Sequence, residues 1–329
     1  QTTESTEEAQ EEKDPLIPEI DTSVELQAGS RVAVVSKSTS GEFWGLVKKG
    51  MEQAIADVNE AYGFKKEDQV TMTFEGASDE KDVESQVNTI DAVIAENPDV
   101  LCASASDMDS LQAQLEAAKE NGIPVVAFDA GVTDSKMVRA FRGTDNTRVG
   151  EIAAYRLATA IGKMGKVAVF SAQEKTQSIQ ERVSGFTNYI TNYPDIEVVE
   201  IVYQDQVDDM TAAMQEVLDK YPQLDGVFCD NADIADLYLD MKRDETKDSI
   251  VMVGVDATAK QQEAIRNGKE VGVVSQQPYA MGYQTIWTAL LTTAPKKSVE
   301  IKRNVRIDPA WIDSSNIDDP TYSSYLYAN

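Results

Sequence analysis

Residues 31–62 read RVAVVSKSTSGEFWGLVKKGMEQAIADVNEAY. A short apolar run, Val32–Val35, stops at a polar turn, Ser36–Glu42, and two aromatics follow, Phe43 and Trp44. Val47, Met51, Ile55, Val58 and Tyr62 then recur at three to four residues, the spacing of one helical face. The pattern predicts a buried parallel strand, a loop at its carboxyl end and a crossover helix. In open α/β sheets ligands sit at such loops. Phe43 and Trp44 are either part of that site or simply core at the start of the helix.

Outward from this unit the chain repeats strand then helix. Candidate strands are Val32–Ser36, Val70–Phe74, Val100–Cys102, Val125–Phe128, Val138–Phe141, Val167–Phe170, Val198–Val202, Gly226–Cys229, Ile250–Val253 and Val271–Ser275. Amphipathic segments lie between them, one with Val83, Val87, Ile90 and Ile94, another with Ile179, Val183, Phe186 and Ile190, a third with Met210, Met214 and Val217. Such alternation means βαβ units and parallel sheets covered on both faces, an α/β protein. Ten strands make a wide single sheet, so two sheets of about five each are expected.

The length of 329 residues fits two domains, and 42% hydrophobic with 26% charged residues is a globular composition. A net charge of −27 argues against nucleic acid and against an anionic membrane surface. There is no apolar run long enough to span a bilayer and no signal-peptide pattern, as in a mature form. With no histidine, histidine general-base chemistry is excluded. The two cysteines, Cys102 and Cys229, sit in apolar runs and read as free buried thiols; with no CxxC spacing either, neither a metal site nor a cofactor is expected. Residues 1–29, rich in Glu, Asp, Thr and Pro, read as an acidic disordered tether.

The carboxyl ends of strands in both halves carry polar side chains. Lys37 follows the first, Ser104–Asp107 the third and Asp129 the fourth; Asp230 and Asn231 follow Cys229, Asp256 follows Val255, and Gln276 follows Ser275. Helix capping accounts for Ser106, Asp107 and Ser110. It explains Asp129, Asn231, Asp256 and Gln276 less well, and a shared pocket explains the set.

At this point the chain resembles a family, the type I periplasmic solute-binding proteins of the ribose- and galactose-binding group. The resemblance covers roughly residues 31–329. It rests on IPVVAFD (123–129), GTDN (143–146), ERVSGF (181–186), DGVFCDN (225–231), VMVGVDAT (251–258), NGKEVGVVSQQP (267–278) and IDSSNIDDPTYSSYLY (312–327). It implies a clamshell of two Rossmann-like lobes joined by three hinge crossings, with residues 30–144 plus 277–307 in the first lobe and 145–276 plus 308–329 in the second. A ligand at the hinge side of the cleft shifts the lobes toward closure.

Carried over residue by residue, the resemblance places Phe43 and Trp44 where aromatic rings stack on a sugar, whose C–H face matches a flat ring. Asp129 falls where a carboxylate accepts from two ligand hydroxyls. Arg182 falls where an arginine, itself held by carboxylates, reaches in from the second lobe. Asn231, Asp256 and Gln276 complete the polar ring. Duller roles stand beside these: Arg182 as a surface arginine, and Asp256 as cap of a helix over 258–267. Three positions depart from the family. Ala130 replaces an arginine, Lys37 replaces a serine, and Asp205 stands where many members carry an aromatic. Lys37 either contacts a ligand group that plain pentoses lack or points to solvent at the cleft mouth.

The resemblance thus implies a binding protein for a monosaccharide or polyol, not an enzyme. It would be a monomer in the periplasm or a cell-surface lipoprotein, serving an ABC transporter permease and touching the membrane only through an N-terminal lipid anchor. The same clamshell also serves as the sensing module of a receptor or kinase. A lac-repressor-type regulator is disfavoured because residues 1–30 hold no helix-turn-helix. Asp129 and Asp256 as a glycosidase-like pair is disfavoured because the lobes carrying them must separate to release ligand.

Overall fold

The structure is a computed structural model and describes residues 13–295 and 299–327. The opening stretch folds as expected. Strand β1 (Arg31–Ser36) runs into a turn whose Gly41, at φ 93°, permits an abrupt entry into helix α1 (Glu42–Tyr62). Gly63, left-handed at φ 65°, ends that helix. The alternation continues through β2 (Thr71–Gly76), α2 (Val83–Ala95), β3 (Val100–Ala103), α3 (Gln112–Glu120), β4 (Val125–Phe128) and β5 (Ala140–Thr144). A second series follows: α4 (Asn146–Ala160), β6 (Gly165–Ser171), α5 (Gln177–Ile190), β7 (Ile196–Tyr203), α6 (Met210–Lys220), β8 (Gly226–Cys229), α7 (Ala232–Asp240), β9 (Val251–Val255), α8 (Ala259–Arg266) and β10 (Gly272–Ser275). Then come α9 (Pro278–Leu291), β11 (Asn304–Ile307) and β12 (Ala310–Asp313).

Two six-stranded sheets result, ordered β11-β5-β4-β3-β1-β2 and β12-β10-β9-β8-β6-β7. Their pairings are parallel except for β12 against β10. All ten expected strands are present; β11 and β12 raise each sheet above the expected five. Both are four-residue edge strands with partly exposed faces, so no apolar run announces them. The chain passes from the first sheet to the second after β5, back before α9, and across again between β11 and β12. In each sheet the order reverses beside its first strand, between β1 and β3 and between β6 and β8. This is the place where α/β sheets open a crevice at their carboxyl ends.

Core lies on both faces of each sheet. Val34, Trp44, Met51, Phe128 and Ile286 fill the side of the first sheet under α1 and α9; Val35, Ile90, Leu101 and Leu115 fill the other. Phe170, Phe186, Phe228 and Met214 anchor the second sheet. Helices α4 and α5 approach so closely that a Cβ on Gly150 would collide with the carbonyl oxygen of Arg182. Cys102 and Cys229 are free and buried.

The expected tether needs correction over 13–29; residues 1–12 lie outside the described residues. Val24 and Leu26 are buried in the core under α1 and α9, with Ile17 and Ile20 packed against it. The Tyr62 hydroxyl donates to the carbonyls of Asp21 (2.9 Å) and Val24 (2.6 Å), and Gln284 Nε2 donates to Leu16 O at 2.7 Å. These few apolar residues, spread among acids, cover helix surface that the overall composition of the segment conceals.

Candidate functional site

The eight residues singled out in the sequence, Lys37, Phe43, Trp44, Asp129, Arg182, Asn231, Asp256 and Gln276, all line one cavity of about 160 Å³ between the carboxyl ends of the two sheets. The cavity also takes in Glu42, Glu80, Ile179, Asp233, Asp236 and Thr258.

Two of the eight hold equivalent places. Asp129 follows β4 and Asp256 follows β9, the fourth strand of each series, and both have left-handed backbones, at φ 61° and 77°. Such conformations are costly for a residue with a side chain, and aspartate tolerates them better than most. The Ala130 N–H donates back to Phe128 O at 2.6 Å, closing a tight turn that presents the Asp129 side chain.

On the wall formed by the first sheet, the Lys37 ammonium lies 3.2 Å from Asp129 Oδ2 and 3.7 Å from Glu80 Oε2, with the Trp44 ring centroid 5.8 Å away. At 5% exposure Lys37 is inside, not at a solvent mouth. Burial pulls its pKa down, but the carboxylates of Asp129 and Glu80 outweigh burial and the nearby Arg182, and the net displacement is upward. Ser104 Oγ donates to the same Asp129 oxygen at 2.7 Å. Trp44 is part of the core and also lines the cavity. Its ring packs edge-on against Phe43 (5.0 Å) and Phe128 (6.3 Å) as core, while Nε1 donates to Glu80 Oε1 at 2.8 Å in the cavity wall.

On the opposite wall Arg182 projects from α5 and is 3% exposed, not a surface arginine. Its Nε donates to Asn146 Oδ1 at 2.9 Å and its Nη1 to the Asp230 carbonyl at 2.8 Å. The expected carboxylate clamp is therefore an amide and a carbonyl. The Asp230 carboxylate is instead held by Ser171 Oγ and by the Ala172 N–H. Burial raises the Asp230 carboxyl to about 6, with Ser171 and Arg182 pulling the other way.

Asn231 caps α7, its Oδ1 accepting from the Ile234 N–H at 2.9 Å, and its amide end remains to serve the cavity. Asp256 does not cap α8, which Thr258 caps through a capping box with Gln261. The Asp256 carboxylate instead accepts from the Ala232 N–H (2.8 Å), Gln276 Nε2 (2.7 Å) and the Tyr327 hydroxyl (2.8 Å). Gln276 takes Thr144 Oγ1 on its other end at 2.7 Å, so it bridges the end of β5 to Asp256. Asp205 lies outside the cavity and accepts from the Glu174 N–H. Ser106, Asp107 and Ser110 are not caps either, since α3 begins after Leu111 without a side-chain cap.

Six carboxylates and two cations among the described residues line the space. Asp233, walled in by Glu80, Asp256 and Asp236, has its carboxyl pushed up to about 7, desolvation being the largest cause. Contacts from both sides close the cleft. Glu42 Oε2 accepts from the Ala259 N–H at 2.9 Å, Thr176 Oγ1 donates to Ser106 O at 2.6 Å, and the Met108 N–H donates to Lys175 O at 2.9 Å. Sequence reading missed Glu80, Asp233, Asp236 and Tyr327. Glu80 had a signal, as a polar residue shortly after a strand; Tyr327 had none, because it reaches Asp256 only through the folding back of the tail. Among the described residues no group of three or more His, Cys, Asp or Glu is arranged to hold a metal ion, and no helix is long and apolar enough to cross a membrane.

Comparison with known proteins matches residues 32–294 to the family described as periplasmic binding protein domain. The ribose import binding protein of Bacillus subtilis (strain 168) is 27% identical over 203 residues, covering 62% of this chain and 66% of that protein. The xylitol-binding protein of Mycolicibacterium smegmatis is 23% identical over 197 residues, covering 59% and 56%. The aligned stretch thus spans just under two thirds of the first of these curated relatives and 56% of the second. Among solved structures, an ABC transporter solute binding protein from Agrobacterium vitis with bound D-fucose matches at TM-score 0.82 and 28% identity, over 91% of this chain and 100% of that one. A carbohydrate transporter solute binding protein from Agrobacterium radiobacter in complex with D-arabinose matches at TM-score 0.80 and 27% identity, over 91% and 99%.

Proposed function

The chain belongs to the periplasmic binding protein domain family, and from that premise we propose that it is an extracytoplasmic solute-binding protein that captures a monosaccharide or related polyol between its lobes for an ABC transporter. The observation that carries this reading is the pairing of Asp129 and Asp256, one from each sheet, on a single small cavity that also holds Arg182 and Phe43. Carboxylates held by protein donors accept further hydrogen bonds from ligand hydroxyls, and the Phe43 ring offers area to a sugar's C–H face. The relatives whose names specify ribose, xylitol, D-fucose and D-arabinose support the ligand class. We assign residues 30–144 with 277–307 to one lobe and 145–276 with 308–329 to the other. The protein acts as a monomer, held near the membrane by a lipid anchor upstream of the acidic segment.

A micromolar ligand needs about 8 kcal/mol. Hydrogen bonds to charged groups contribute roughly 1.5–3 kcal/mol each, so Asp129, Arg182 and Asp256 with one ring contact reach that range. A thermal-shift screen over pentoses, hexoses, polyols and uronic acids tests the reading. The right ligand at a hundred times its dissociation constant stabilises by about 2.7 kcal/mol. Stabilisation by amino acids or peptides, with none by any sugar or polyol, would overturn it.

A further inference from the structure

A second cavity, of about 260 Å³, lies at the open edge of the first sheet, where β5 and β11 meet the start of α5. Its floor is apolar, with Val132, Val138 and Phe141. Besides Ser135, its polar side chains are two amides and two arginines. Gln177 Oε1 already accepts from the Gly131 N–H at 2.7 Å, and Asn304 Oδ1 accepts from Arg306 Nε at 3.1 Å. An N–H can only be accepted by oxygen, so these contacts fix both amides with their NH₂ ends remaining. Arg306 stacks over Phe141 at 4.4 Å and is neutralised by Glu181 at 2.9 Å. Arg303 is different. Its Nη2 donates to the Ser135 carbonyl at 2.6 Å, and no carboxylate of a described residue pairs with it, although acids outnumber bases 57 to 30 in this chain. A cation without a carboxylate partner, two amide donors and an aromatic floor together define one ligand chemistry.

We propose that this cavity is a second binding site, separate from the one that holds Asp129 and Asp256, for a small organic carboxylate with a compact apolar body. The carboxylate pairs with the Arg303 guanidinium and accepts from the Gln177 and Asn304 amides, while the apolar body lies on Phe141, Val132 and Val138. Guanidinium and carboxylate match as a two-pronged pair, which a neutral amide of the same shape does not.

The test is calorimetric titration of the full chain, sugar-free and again saturated with the best sugar from the screen, with benzoate and with its neutral isostere benzamide. Benzoate is expected to bind at least tenfold more tightly than benzamide. Arg303→Glu is expected to weaken benzoate at least tenfold with an unchanged melting temperature, and Arg303→Gln to weaken it in the same direction. Equal affinity for the two compounds, benzoate binding that survives Arg303→Glu, or no binding of benzoate up to about 10 mM would each overturn the proposal.

Discussion

The hydroxyl of Tyr327 donates to Asp256 Oδ1 at 2.8 Å, so the chain's tail holds the cavity carboxylate that follows β9, 71 residues earlier. Tyr327 is wholly buried, and its ring lies 6.1 Å from Phe43 of α1. Its hydroxyl sits well above the ordinary phenol range in pKa, through burial and then the Asp256 charge, and so remains a donor. Tyr327→Phe keeps the ring and removes the donor. We expect sugar affinity to fall about tenfold, near 1.4 kcal/mol, in calorimetric titration with the best sugar from the screen. An unchanged affinity would mean that Gln276 and Ala232 alone orient Asp256.

Lys37 sits between buried Asp129 and partly buried Glu80, and Lys37→Met leaves both without their cation. Removing one partner of a buried ion pair costs about 3–5 kcal/mol. The variant should therefore melt several degrees lower, and adding Asp129→Asn should recover part of the loss without restoring sugar binding. If Lys37→Met melts like the parent, the ammonium is not the group that balances this wall.

Gly150→Ala tests how packing aims Arg182. Because the new Cβ meets the Arg182 carbonyl, α5 must move away from α4. Overpacking of this kind costs about 1–3 kcal/mol. Affinity should fall together with stability, because the guanidinium shifts with its helix. A loss of stability at full affinity would show that Arg182 can swing back independently of α5.

Acidity should stabilise the fold. The carboxyls of Asp230 and Asp236 are raised from 3.8 to about 6, and that of Asp233 to about 7, by burial first and then by neighbouring acids at Asp233 and Asp236. Between about pH 4 and 7 the folded chain then holds protons that the unfolded chain has released, so stability falls as pH rises through that window. For buried Asp230 the rise corresponds to roughly 3 kcal/mol at neutral pH. The lowered carboxyls of Asp21, Asp244, Asp313 and Asp319 act below pH 4, outside the window. Thermal melts should give a higher midpoint at pH 5.5 than at pH 8, with a shallower dependence in Asp233→Asn. A higher midpoint at pH 8 would reverse the assignment.

Most of the architecture was legible because its signals are local. Runs such as Val32–Val35 and Val125–Phe128 are apolar on both faces since parallel strands are covered on both sides. The polar residues after them marked the cavity, because strand ends in such sheets point toward one crevice. What escaped was weak in local signal: β11 and β12 with their short edge pairings, and the apolar residues of 13–29 diluted among acids.

The one-dimensional order of residues was enough to establish two α/β sheets and to name eight side chains that fall in one cavity, because burial imprints its periodicity on neighbouring positions. Only the tertiary structure decided which groups neutralise one another. It placed Lys37 inside against Asp129, gave Arg182 an amide and a carbonyl in place of carboxylates, and brought Tyr327 to Asp256. Charge pairing and hydrogen bonding depend on distance through space, and for residues tens of positions apart that distance is set by how the lobes pack.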